Sequence, residues 1–102
     1  MPVRESDLKL PALASMAGAP SGFITTSALI LELESLFEPE GLDAALLANR
    51  KDSHFSQKVR NLVSHRHGST GLEARGLAIY SPAREGWTIT DYGRERVADF
   101  YD

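Results

Sequence analysis

The sequence predicts one mainly α-helical domain closed by a small β-hairpin near its carboxyl end. Three observations predict it. Apolar residues recur at helical spacing in three separated stretches, residues 8–17, 29–37 and 55–63. Two short runs of strand-forming residues, 77–80 and 87–89, flank the turn-rich segment Ser81-Pro82-Ala83-Arg84-Glu85-Gly86. The length of 102 residues suits a single core, and 42% hydrophobic with 25% charged residues is ordinary globular composition.

Taken in order, Leu8, Leu10, Leu13 and Ala17 mark a first helix, with Pro11 expected in its first turn, where a missing N–H costs nothing. Gly18-Ala19-Pro20-Ser21-Gly22 breaks it, and Phe23-Ile24-Thr25 reads as a very short extended piece. Thr25 or Thr26 caps a second helix whose Leu29, Ile30, Leu33, Leu36 and Phe37 share one arc. Leu31 lies off that arc, to meet another element or stay exposed. Glu38-Pro39-Glu40-Gly41 stops the helix, and residues 43–49 suit one or two further turns. Ser53 is the expected cap of a third helix over about 53–65, with Phe55, Val59, Leu62 and Val63 as its buried stripe. His67-Gly68-Ser69-Thr70-Gly71 is a loop, residues 72–75 resume a helical turn, and Gly76 is its left-handed terminator. The hairpin follows over about 77–90, with Trp87 and Ile89 facing inward. Thr90 then caps a last helix over about 91–101 that buries Val97, Phe100 and Tyr101. Three helices backed by a terminal hairpin form the winged helix-turn-helix plan, as one domain spanning 1–102.

The net charge of −3 and pI near 5.6 argue against nucleic acid, but the charge is unevenly spread. Residues 50–75 hold six cations against two anions and all three histidines, while residues 32–43 hold five acids and no base. A split field of this kind can face DNA with one side while the whole stays acidic, although a solvated basic stretch gives the same count. No apolar run reaches the roughly 18 residues of a membrane span, and the first residues lack the apolar stretch of a secretory signal. A cytoplasmic setting is expected. The absence of cysteine removes disulfides and thiolate metal sites, and His54, His65 and His67 are not spaced as a zinc set. No nucleophile elbow, phosphate-cradling glycine loop or His-Glu-x-x-His pair occurs, so neither a cofactor nor catalysis by the chain itself is expected.

Function is read from the third helix. Its outer side carries Ser53, His54, Gln57, Arg60, Asn61 and Ser64, with Ser56, Lys58 and His65 beside them, and no acid occurs from Ser53 through Thr70. Asn and Gln can pair with the adenine edge, Arg with guanine, and Ser and Lys with phosphates. An ordinary polar helix face would look similar; the lack of acids and the position ahead of a hairpin favour DNA contact. Arg84, on the hairpin loop, reads either as a phosphate or minor-groove contact or as a surface partner of Glu85.

Gly76-Leu77, Gly86-Trp87-Thr88-Ile89-Thr90 and Gly93-Arg94 resemble the wing and final helix of winged-helix domains attached to bacterial restriction nucleases. These include the amino-terminal domain of the Mrr restriction protein and the readers of adenine-methylation-dependent endonucleases. Leu10-Pro11-Ala12-Leu13 and residues 55–62 fit the same plan; the segment 67–71 and the long connection between helices two and three depart from it. The resemblance implies a double-stranded DNA partner, adenine methylation as the feature read, and fusion to a nuclease domain. It implies DNA contact by the third helix and wing; with the residue chemistry, the contact set is Ser53, His54, Ser56, Gln57, Lys58, Arg60, Asn61, Ser64 and Arg84. Two other readings stay open. One is a dimeric winged-helix transcriptional regulator, with Leu31, Val97, Phe100 and Tyr101 as dimer contacts. The other is a winged-helix module for protein contacts, which the acidic net charge would suit.

Overall fold

A computed structural model describes residues 5–37 and 54–101, and its elements follow from local chemistry. The first helix, α1, runs Glu5–Gly18 and buries Leu8, Ala12, Leu13 and Met16. The buried side is thus shifted from the expected one, with Leu10 and Ala17 only partly covered. Pro11 also lies deeper than a first turn. Its ring removes only the bond that would reach the Asp7 carbonyl, and Asp7 sits on the exposed side, so the helix continues through it.

A 3-10 turn, Pro20–Gly22, leads into strand β1, Phe23–Thr25, as the turn residues require. Helix α2, Thr26–Phe37, starts immediately after, capped by Thr25, whose Oγ1 accepts the Ala28 N–H at 3.2 Å. Leu29, Ile30 and Leu33 are buried, but Leu36 is 64% exposed and does not join the arc. Leu31 is 68% exposed, so of its two readings exposure holds. The stop at Glu38-Pro39-Glu40-Gly41, the turns over 43–49 and the Ser53 cap lie outside the described residues.

Helix α3, His54–Ser64, places Phe55, Val59 and Leu62 in the core, against α1 and α2. Each such burial contributes about 1.5–3 kcal/mol. The resumed helix at 72–75 is only a turn, but its ending is the expected one. The Leu77 N–H donates to the Leu72 carbonyl at 2.9 Å and the Gly76 N–H to the Glu73 carbonyl at 3.0 Å, with Gly76 at φ 72°. Those are the paired bonds of a Schellman ending, and they need a residue tolerant of the left-handed region.

Strands β2, Ala78–Ser81, and β3, Gly86–Ile89, form the hairpin, and β1 adds to its other side. The result is a three-stranded antiparallel sheet in the order β1-β3-β2, one strand more than the hairpin alone. Ile24 and Tyr80 flank Trp87 from the two sides, and Ala78 opposes Ile89. One core joins Leu8, Leu13, Leu29, Phe55, Leu72 and Trp87.

Helix α4, Asp91–Tyr101, closes the chain against α1. Thr90 caps it, its Oγ1 accepting the Gly93 N–H at 2.9 Å. The same hydroxyl lies 2.6 Å from the Gly76 carbonyl and 3.0 Å from that of Leu77, so its proton also ties the helix start to the turn before β2. Thr90→Ala should therefore cost about 1–2 kcal/mol, read from urea unfolding midpoints. A loss indistinguishable from zero would show that the cap carries no load. Val97 packs against the core, whereas Phe100 is 68% exposed, contrary to the buried role expected of it. Among the described residues no helix is long and apolar enough to cross a membrane.

Candidate nucleic-acid interface

The amphipathic pattern that buries Phe55, Val59 and Leu62 turns the other side of α3 outward. Gln57, Lys58, Arg60 and Asn61 are half-buried and Ser64 is exposed. Ser56 is not on this surface: it is 4% exposed. It neighbours Phe55 and stands one turn before Val59, at the edge of the arc that packs on α1 and α2, so it is withdrawn as a contact. Of His54 only its place at the start of α3 is described, and Ser53 lies outside the described residues.

Gln57 and Asn61 lie one turn apart, and the Gln57 Nε2 donates to the Asn61 Oδ1 at 3.0 Å. This bond orients both amides in a row. It leaves the Gln57 oxygen, one Gln57 N–H and the Asn61 amide protons as donors and acceptors toward a partner.

Arg84 stands on the loop between β2 and β3, its guanidinium carbon 3.8 Å from the centre of the Phe23 ring. Its contact is this ring rather than Glu85, and the cation–π geometry holds the charge at the surface. The loop itself is tied back, since the Thr26 N–H donates to the Glu85 carbonyl at 2.9 Å.

A groove of about 450 Å³ runs between these parts. Arg60 and Ser64 of α3, Arg84 and Glu85 of the loop, and Thr26 and Ser27 at the start of α2 line it. Three of the sequence-assigned residues, Arg60, Ser64 and Arg84, thus meet at one place, while Gln57, Lys58 and Asn61 do not line it. Thr26 and Ser27 escaped the sequence reading, although the hydroxyl run Thr25-Thr26-Ser27 at an expected helix start was a signal for them. The Thr26 and Ala28 N–H groups at this helix start are already bonded, so what it offers a phosphate is the partial positive charge of the helix end. Glu85 opposes that effect with the one carboxylate in the lining.

The basic stretch beyond α3 is turned elsewhere. His65 Nδ1 meets Glu5 Oε2 at 2.9 Å. Arg66 donates to the Val63 carbonyl at 2.7 Å, lies 3.5 Å from Glu73 and sits over Tyr80. His67 Nε2 is 3.4 Å from Glu73. Glu73, already one of the two anions of residues 50–75, is thus engaged by Arg66 and His67, and Glu5 brings a further carboxylate to His65 from outside that stretch. Trp87 is fully buried, a core residue and not a stacking platform.

No family model matches this chain, and neither a curated protein nor a solved structure does.

Proposed function

We propose that the chain is a winged-helix domain that binds double-stranded DNA, with α3 in the major groove and the β2–β3 loop as the wing beside it. The observation that carries the reading is the shared groove, where Arg60 and Ser64 of an acid-free helix meet Arg84 of the loop and the exposed Ser27 at the start of α2. The succession α1-β1-α2-α3-β2-β3 with strand order β1-β3-β2 supports the winged plan. A major groove about 12 Å wide admits one α-helix, whose Gln57, Arg60 and Asn61 then face base edges while Lys58, Ser64 and Arg84 face phosphates. On the likeness to restriction-nuclease readers, the preferred duplex carries methylated adenine, and the domain serves a nuclease elsewhere in the full-length protein.

Fluorescence anisotropy with matched methylated and unmethylated duplexes across a salt series tests this. Two phosphate-facing cations, Lys58 and Arg84, predict a log–log salt slope of roughly −2. Arg84→Ala should flatten the slope by about 1 on every sequence, whereas Arg60→Ala or Asn61→Ala should weaken specific binding by about 1–3 kcal/mol. Binding to no duplex at any salt would end the DNA reading, and equal affinity for both duplexes would end the methylation reading alone.

A further inference from the structure

A second concave site lies between α1, α4 and the segment joining α3 to β2, and it shares no lining residue with the groove described above. Its volume is about 430 Å³, within the range of small-molecule pockets. The floor is apolar: Leu13 is buried, and Leu10 and Leu77 are half-buried. Tyr92, Arg96 and Phe100 stand four residues apart along α4 and so form one row on its surface. Both rings of that row are open to solvent, Tyr92 at 50% and Phe100 at 68%.

The charge around this floor is of one sign. Lys9, Arg75 and Arg96 line the site and no carboxylate does, in a chain with 14 acids against 11 Lys and Arg. Lys9 is held in place by a hydrogen bond from its Nζ to the Thr70 carbonyl at 2.6 Å, which leaves two of its three N–H donors. Among the described residues no carboxylate pairs with Arg75 or Arg96. Glu73, by contrast, meets both Arg66 and His67.

Exposed aromatic rings over an apolar floor call for a flat unsaturated body, and three cations in a lining without a carboxylate call for an anionic group. A second copy of the chain is the wrong occupant, because a two-fold contact through this site would set three cations against three cations. We propose that the site binds a small aromatic anion. Its ring lies on Leu10, Leu13 and Leu77 beside Tyr92 and Phe100, with a carboxylate or phosphate within reach of Lys9, Arg75 and Arg96.

NMR titration of the full chain with benzoate and with phenyl phosphate tests the proposal, using inorganic phosphate and phenol as half-probes. Saturable shifts at Leu10, Leu77, Tyr92 and Arg96 are expected for at least one aryl anion, and which one responds identifies the acidic group. Each half-probe should bind at least about tenfold more weakly, since it satisfies only the cations or only the floor. Arg75→Gln and Arg96→Gln should each weaken the aryl anion about five- to tenfold. Phe100→Ala, which removes a ring that the core does not cover, should do so to a similar extent with an unchanged circular dichroism spectrum. Inorganic phosphate binding as tightly as phenyl phosphate would overturn the proposal, as would the absence of saturation by about 10 mM of either aryl anion. Tighter binding of oligothymidylate at the same residues would also overturn it, in favour of single-stranded nucleic acid.

Discussion

Replacing Trp87 by alanine is expected to cost about 3–5 kcal/mol, the largest loss available to a single core substitution here. The indole is fully buried at the centre of the sheet, edge-on to Tyr80 with ring centres 5.3 Å apart. It also faces the helices, so its removal opens the boundary between both layers. Phenylalanine should cost much less. Among the described residues the Trp87 Nε1 has no hydrogen-bond partner, and an unmatched buried N–H is itself unfavourable by about 1–3 kcal/mol. Losing that penalty offsets part of the smaller cavity. Urea unfolding followed by circular dichroism checks both variants, because Trp87 is the chain's one tryptophan and its fluorescence disappears with it. A phenylalanine variant as unstable as the alanine one would mean that the indole N–H does find a partner.

Gly93→Ala should cost about 3 kcal/mol, although alanine normally improves a helix by roughly 1 kcal/mol over glycine. A Cβ at Gly93 would overlap the carbonyl oxygen of Leu77 and come within 2.8 Å of the Ile89 side chain. The Leu77 carbonyl cannot swing aside, since it accepts the Thr90 N–H at 3.1 Å and sits 3.0 Å from the Thr90 hydroxyl. The close approach of α4 to the turn before β2 therefore depends on a missing side chain. Gly18→Ala is the matched comparison, because a Cβ at Gly18 meets nothing within 4 Å. It should be neutral or stabilising by up to about 1 kcal/mol. A stable Gly93→Ala protein would mean that α4 does not lie against the Leu77 carbonyl.

What the sequence made legible was mostly local. The stripe Phe55, Val59 and Leu62, the Thr90 cap and the Gly76 ending each depend on residues within one or two turns, and each is present. Burial at helix ends was not legible. Spacing put Leu36 and Phe100 on apolar arcs, but burial requires a neighbour that extends as far as that turn, and both are exposed. Pro11 misled for a related reason: one lost hydrogen bond near a helix start weighs little against the burial of Leu8, Ala12, Leu13 and Met16. The pairing of β1 with β3 joins residues more than sixty positions apart, and nothing in Phe23-Ile24-Thr25 names its partner.

The same division holds at the candidate site. Helical spacing found Gln57, Arg60, Asn61 and Ser64, but it counted Ser56 with them because a serine at the rim of a buried arc reads the same on paper as one outside it. Charge counting found the basic stretch of residues 50–75, Glu73 included, but not which groups meet in it. Glu5 reaches His65 from sixty residues away, and Glu73 folds back onto Arg66 and His67. The meeting of Arg60 with Arg84, and of Arg84 with Phe23, depends on the hairpin lying beside α3, which only the folded chain displays.

The bond between Thr26 and the Glu85 carbonyl, together with the seat of Arg84 on Phe23, makes the loop a braced strut and not a swinging arm. The span from α3 to Arg84 is then a gauge with little play. A duplex meeting both ends must adapt its own width to that gauge, and stiff or compliant base steps do so at different energetic cost. Under the DNA reading, part of the selectivity would therefore reside in base pairs that no side chain touches.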